Sequence, residues 1–320
     1  MAQRILRGAA ATLSYEHLDY RGERVAADGT VTVKVEKADG TTVLAAGTAT
    51  DNPSPGIYTV DLTAAQTSSL ELLTATWIDD ATPTVSRTSQ HEIVGGFLFT
   101  VNDVMSEQGG TDYDKGTIVE RRDEVEDECE WITDVAWVPR YRRLTLDGTG
   151  EDLIVTGTRQ IRTVRSVRLY STTGGSSYTS MTSTQLAGLV RTPDGQLRRT
   201  DNDVWPAGFG NVVIEVEHGY DRPPNDLRIA ASIRCIDALF RPDGGLPLRA
   251  KSWTDGAGVS YDLEIPDEFS TGIPRVDSVY HRHSKRVSKA GAAGGGRQGP
   301  ASRTLSYDPQ YYGLFRGGRT

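Results

Sequence analysis

The sequence predicts a mixed fold: an N-terminal all-β, immunoglobulin-like sandwich, an α+β domain of helices and a β-meander, and an extended C-terminal tail. Three observations carry this reading. Up to residue 94 the chain runs in short alternating apolar and polar stretches closed by turn residues. Between residues 95 and 286, apolar positions recur twice at helical spacing, with strand-like runs between them. From residue 287 the composition shifts to glycine, alanine and serine, too poor in large apolar groups to bury a core. The expected divisions are therefore 1–94, 95–286 and 287–320, and 320 residues are enough for two separate cores.

In the first part, "GTVTVKVEKADGTTVLAAGTAT" alternates Val31, Val33 and Val35 with polar residues, turns at Asp39-Gly40 and returns through Val43 and Leu44. Period-two alternation closed by Asp-Gly is a hairpin signal. "SPGIYTVDLT" opens a further strand at Pro55-Gly56, and "LLTATWIDD" supplies another with Trp77 as a core aromatic. Short strands spaced by turns point to a small sandwich, without the Cys-Trp-Cys pattern of antibody domains.

The second part begins where Gly95-Gly96 breaks the pattern. "FTVNDVMSEQGGTDYDKGTIVERRDEVEDECEWITDVAW" reads as helix, with Ile118, Val125, Cys129, Ile132 and Ala136 on one stripe and Pro139 at the exit. "YRRLTLDGTGEDLIV" then reads as a hairpin: Leu144 and Leu146 alternate before its glycine turn, Leu153 and Val155 after it. "IRTVRSVRLYS" carries Ile161, Val164 and Val167. In "NVVIEVEHGY", Val212, Ile214 and Val216 share one face, and Val213, Glu215 and Glu217 the other. "PPNDLRIAASIRCIDALF" is a capped helix with Ile229, Ile233, Ile236 and Phe240 along its stripe.

Charge is divided unevenly. The net charge is −8, yet after residue 280 eight arginines and lysines face one aspartate, so a +7 end follows a body at −15. Beyond the linker-like "SKAGAAGGGRQGPASRT", the run "LSYDPQYYGLF" gathers aromatics of the kind that anchor into a partner. No apolar run reaches the roughly 18 residues that span a bilayer. The first residues hold no signal-peptide core, which suggests a protein made and used inside a cell unless it leaves within a particle. Cys129 and Cys235 are expected as reduced, buried thiols.

The candidate chemistry is thin. Asp147-Gly148-Thr149-Gly150-Glu151-Asp152 lacks the third glycine and following helix of a dinucleotide loop, and the oxygen pattern of a calcium loop. It reads as a turn. His281-x-His283 would put two imidazoles on one face of a strand but has no third metal ligand, so a solvated basic segment is expected. Neither a G-x-S-x-G elbow nor a Cys/His cluster is present. Trp205-Pro206 reads as a strand lead-in with a packed indole rather than the wall of a sugar pocket. Neither an enzyme nor a cofactor is expected.

Taken in order, the pieces of the second part resemble the head-to-tail adaptor, or head-tail connector, proteins of long-tailed bacteriophages. The likeness rests on the helix ending near "VPRYRRLTLDGTGEDLIV", then "IRTVRSVRLYS", a hairpin with "PDGQLRR", "VWPAGFGNVVIEVEHGYDRPPNDLRIAASIRCIDAL" and "STGIPRVDSVYHRHSKR". It covers roughly Phe97 to Arg286. The N-terminal sandwich departs from the minimal pattern and looks like an added decoration domain.

The resemblance implies a structural subunit of a virion neck, assembled in the host cytoplasm. Twelve copies would form a ring joining the portal protein to the next connector, stopper or tail protein. DNA would pass through without sequence-specific binding, and no membrane is involved. An acidic body suits such a conduit, because it adds no attraction for phosphate. The expected docking residues are Tyr307, Tyr311, Tyr312, Leu314, Phe315 and Arg316; the expected contacts between ring neighbours are Arg121, Arg122, Asp123, Glu124 and Glu128. A helix bearing both signs suits a ring in which each copy offers two different surfaces. The alternative is a virion protein that binds a glycan or host surface through the sandwich, with Trp77 and Tyr58 in the site.

Overall fold

The computed structural model describes residues 3–81, 86–106, 113–171, 175, 177–240, 252–254, 260–262 and 269–285. The docking residues expected at 307–316 lie outside these.

The first strands are β1 (Gln3–Leu6), β2 (Ala11–Glu16), β3 (Val31–Lys37), β4 (Thr42–Ala49), β5 (Asp51–Ser54), β6 (Ile57–Leu62), β7 (Glu71–Asp79) and β8 (Ser86–Val94). They form a five-stranded sheet, β1-β8-β7-β3-β4, and a three-stranded sheet, β2-β6-β5. One core lies between them: Val31, Val33, Val35, Leu73, Ala75, Trp77 and Ile93 from the larger sheet meet Leu13, Tyr58, Val60 and Leu62 from the smaller. The Asp39-Gly40 hairpin forms as expected, β3 pairing with β4 around Gly40 at φ +88. The outlier is β1, which adds to β8 in parallel and forms one edge of the sheet.

The long helical reading from Phe97 to Trp137 resolves into two helices, α1 (Val101–Met105) and α2 (Lys115–Thr133). Asp114 caps α2 by accepting from the Gly116 and Thr117 amides. Asp134 ends it in the left-handed conformation, φ 59, so the helix closes five residues before Pro139 and Ala136 lies beyond it.

Next come β9 (Arg140–Gly148), β10 (Leu153–Val155), β11 (Ile161–Tyr170), β12 (Tyr178–Ser180), α3 (Ser183–Ala187), β13 (Val190–Arg191), β14 (Gln196–Arg198) and β15 (Gly208–His218). These do not form a meander. One sheet runs β12-β11-β15-β9 and a separate one β10-β14-β13. The expected hairpin across the glycine turn is therefore absent: β9 pairs with β15, β10 with β14, and the turn carries the chain between sheets. The long β15, with Val212, Ile214 and Val216 fully buried, offers β9 far more apolar pairing surface than three-residue β10 can. Strand β11 has two bulges, after Ile161 and after Val164. Each inserts a residue, so the inward positions fall three apart at Ile161, Val164 and Val167 instead of two.

The helical core joins α1 and α2 to α4 (Asn225–Phe240) and α5 (Pro274–His283); a short hairpin, β16 (Ser252–Thr254) with β17 (Ser260–Asp262), lies between them in sequence. The fully buried stripe of α4 is Leu227, Ala230, Ala231, Cys235 and Leu239; of the expected stripe, Ile233 and Ile236 pack partly buried against this core, Ile229 does not, and the Phe240 side chain lies outside the described residues. Small residues let α4 approach its neighbours closely, which leaves Ile229 at 40% exposure on the flank. The expected basic segment around His281 is α5, anchored by buried Val276 and Tyr280.

Candidate assembly surfaces

The charged helix α2 divides its residues between two environments. Arg121 and Glu124 pair at 2.6 Å on the outer side, and Glu128 pairs with Arg234 of α4 at 2.8 Å. Arg122 and Asp123, expected beside them, are buried at 4% and 6% exposure. The Arg122 guanidinium lies 3.4 Å from the Phe97 ring centre, and Asp123 accepts from the Arg4 amide. The reason is geometric: Arg122 follows Ile118 by four residues on the inward stripe, and Glu126 follows Arg122 by four.

Around them lies a buried ionic seam joining the sandwich to α2 and β9. Arg4 of β1 meets Glu126 and Asp127; Arg140 of β9 meets Glu130 of α2 and donates to Glu92 of β8 at 2.9 Å. Glu126 also accepts from the Leu98 amide at 2.6 Å. Five carboxylates, Glu92, Asp123, Glu126, Asp127 and Glu130, thus share three guanidiniums, those of Arg4, Arg122 and Arg140. Burial raises the pKa of Glu126 and Asp123. It pushes Glu130 up to about 7, reinforced by Glu92 and Glu126 and opposed by Arg140 and Arg4.

A second polar seam lies on one face of the four-stranded sheet. There Arg143 donates to the Ala38 carbonyl at 2.8 Å and Arg165 to the Leu70 carbonyl at 2.7 Å. Arg165 also binds Glu217 at 2.7 Å. Glu215 sits 3.5 Å from Arg143 and 3.9 Å from Arg168, with one carboxylate oxygen lacking a hydrogen bond among the described residues. The sandwich is thus fastened to the rest of the chain on two sides.

Where the tail departs is fixed. Ser284 Oγ donates to the Ile132 carbonyl and the Lys285 amide to the Thr133 carbonyl, which supplies donors for the open carbonyls at the end of α2. Arg159 reaches the Lys285 carbonyl at 3.1 Å and Asp134 at 3.0 Å. Residues 286–320 continue from this point.

The other candidates are structural. Trp77 and Tyr58 are core residues at 1% and 5% exposure. The Trp77 indole donates to Ser89, and the Tyr58 hydroxyl accepts from the Ala27 amide, so neither faces a glycan. Trp205 is fully buried, its indole donating to the Asp152 carbonyl. His281 meets the Phe269 carbonyl and His283 meets Asp226; two residues apart on a helix, they diverge. Cys129 and Cys235 are free, buried thiols; burial raises both, Cys235 to about 12. Among the described residues no three His, Cys, Asp or Glu are placed to hold a metal ion, and no helix is long and apolar enough to cross a membrane.

No family model matches the chain, and no curated protein matches it. Solved structures that resemble it include a chain of the neck of an empty GTA particle computed with C6 symmetry. The identity is 18% and the TM-score 0.40, over 62% of this chain and 92% of that one. A chain of the neck of the native GTA particle, computed with C12 symmetry, gives 19% and 0.36 over 57% and 86%. One from the virion of the native gene transfer agent particle gives 15% and 0.41 over 59% and 91%. TM-scores below 0.5 fall short of a shared overall fold. The role of these surfaces rests on the residues themselves.

Proposed function

We propose that the chain is a structural subunit of a phage-type neck. It assembles with copies of itself, in a ring of twelve, between the portal and the next connector or tail protein. DNA passes through the channel unread. The carrying observation is the exit at Lys285, where three hydrogen bonds and an ion pair fix the end of the folded body just before a basic, aromatic stretch of the sequence. A segment of this composition suits a partner surface, with Tyr307, Tyr311, Tyr312, Leu314 and Phe315 as anchors and Arg316 as a charge contact.

In this reading Arg121 and Glu124 on the outer side of α2 meet the neighbouring copy together with Glu128, which is paired with Arg234 of α4, while Asp123, held by Arg122, ties α2 to the sandwich through the Arg4 amide. The sandwich, of immunoglobulin-like type, is a decoration clamped in a set orientation. The assembly is non-enzymatic and belongs in the virion, built in the host cytoplasm. Deleting residues 302–320 tests the tail's part in it. The shortened chain is expected to keep its melting temperature and to lose the joining of heads to tails. Tailed particles formed at the normal yield would overturn the docking role.

A further inference from the structure

At the end of β9 away from α2, two loops are woven into one tip. The Gly150 amide donates to the Trp205 carbonyl, the Trp205 amide to the Glu151 carbonyl and the Arg199 amide to the Asp152 carbonyl, each at 2.8 Å. Gly148 tolerates no side chain here, since a Cβ would lie 1.7 Å from the Pro206 carbonyl oxygen.

Two buried polar side chains fix the conformation of these loops. Arg199, its side chain 1% exposed, donates to the Val204 carbonyl at 2.9 Å and reaches Asp201 and Asp203 at 2.7 Å. Asn211, 3% exposed, accepts from the Gly148 amide and donates to the Pro206 carbonyl. The first sets the loop that carries Val204, 47% exposed. The second sets the break in β15 register, with Gly210 at φ 58, that carries Phe209, 73% exposed. Buried polar groups are costly, and here both support apolar side chains turned toward solvent. Around these two stand Asp147, Glu151, Asp152, Asp201 and Asp203 against Arg198 and Arg199.

We propose that this tip seats the C-terminal segment, residues 303–319, of a second copy of this chain. The inference rests on the ring reading and names the tail's partner. Charge selects the occupant: the segment carries Arg303, Arg316 and Arg319 against Asp308, interleaved with Tyr307, Tyr311, Tyr312 and Phe315. Reach favours a neighbouring copy. The tail starts at Lys285, beside the α2 end of β9, whereas the tip lies at the other end of that nine-residue strand, roughly 30 Å along it. A connector of 17 residues with this glycine-rich composition spans about 23 Å on average, so its own tip lies beyond the average span, although within the roughly 57 Å of full extension. In a head-to-tail ring the neighbour supplies another tip within reach.

The test uses the full chain with a benzoylphenylalanine photo-crosslinker replacing Tyr311, mixing isotopically heavy and light copies. Heavy-to-light crosslinks onto residues 199–211 are expected, falling at least tenfold in Phe209→Ser and in Val204→Ser. Circular dichroism melts check that both variants stay folded. Crosslinks confined to one copy, crosslinks on other surfaces, or none at all would overturn the proposal. Sedimentation separates the two readings. A chain that stays monomeric with its portal contradicts the ring itself, whereas one that assembles but crosslinks elsewhere contradicts only the tip's role.

Discussion

The two faces of the four-stranded sheet are built on opposite principles. On one, Val212, Ile214, Val216, Leu144 and Val167 pack with Ile154, Leu197 and Trp205 beneath the small second sheet, an apolar core whose margin is met by the buried Arg199 over the Trp205 ring. On the other, Arg143, Arg165, Arg168, Glu215 and Glu217 face the sandwich through ion pairs and backbone carbonyls. Both faces are covered, yet only the first reads as a core. Apolar packing stabilises without fixing direction, whereas guanidinium forks on carbonyls and carboxylates accept one geometry. The polar face therefore orients the sandwich more than it stabilises it.

The largest effect is expected outside this sheet, in the other polar seam, at Arg4. Arg4→Ala leaves Glu126 and Asp127 without their guanidinium in the buried seam, and a loss of about 3–5 kcal/mol is expected in chemical denaturation. Ile214→Ala on the apolar face should cost about 2–4 kcal/mol through its cavity, with no change in how the sandwich docks. Limited proteolysis between the sandwich and α2 separates the two variants: cleavage should accelerate for Arg4→Ala and not beyond the stability loss for Ile214→Ala.

A pH series sharpens the seam further. The folded pKa of Glu130, about 7, lies above its ordinary 4.5, so the folded state keeps a proton that the unfolded chain has released. This contribution is complete below about pH 4.5 and is lost as pH rises through 7. In Glu130→Gln the loss disappears, and stability relative to the parent should climb by roughly 3 kcal/mol at most across that window. His91, buried and lowered to about 4, acts oppositely, its contribution vanishing as pH falls from 6.5. The smallest effect is expected at Arg121. Arg121→Ala should change the stability of the single chain by no more than about 0.5 kcal/mol while weakening contacts between copies, as sedimentation would register.

Much of the sandwich was legible because its strands are one-sided. Val31, Val33 and Val35 alternate cleanly, and Asp39-Gly40 marks the turn. The interface strands were not, because a face that meets another domain through charges reads like one that meets water. Glu215 and Arg143 look solvated in sequence and are half-buried or buried in the fold. A signal did exist in α2: Arg122 and Glu126 stand on the same stripe as Ile118 and Cys129, where a solvated charge has no place. The glycine turn misled for a different reason. Local turn chemistry marked the reversal correctly, but strand pairing is decided by distant partners, and β15 lies sixty residues on from β9.

The proposed function requires that this chain closes into a ring. Electron microscopy of the purified full-length protein, alone and mixed with the portal of its own particle, decides whether it does. Closed rings of twelve copies are expected, with the sandwich held at one orientation around the circumference. Monomers under both conditions, or an open filament, would contradict it.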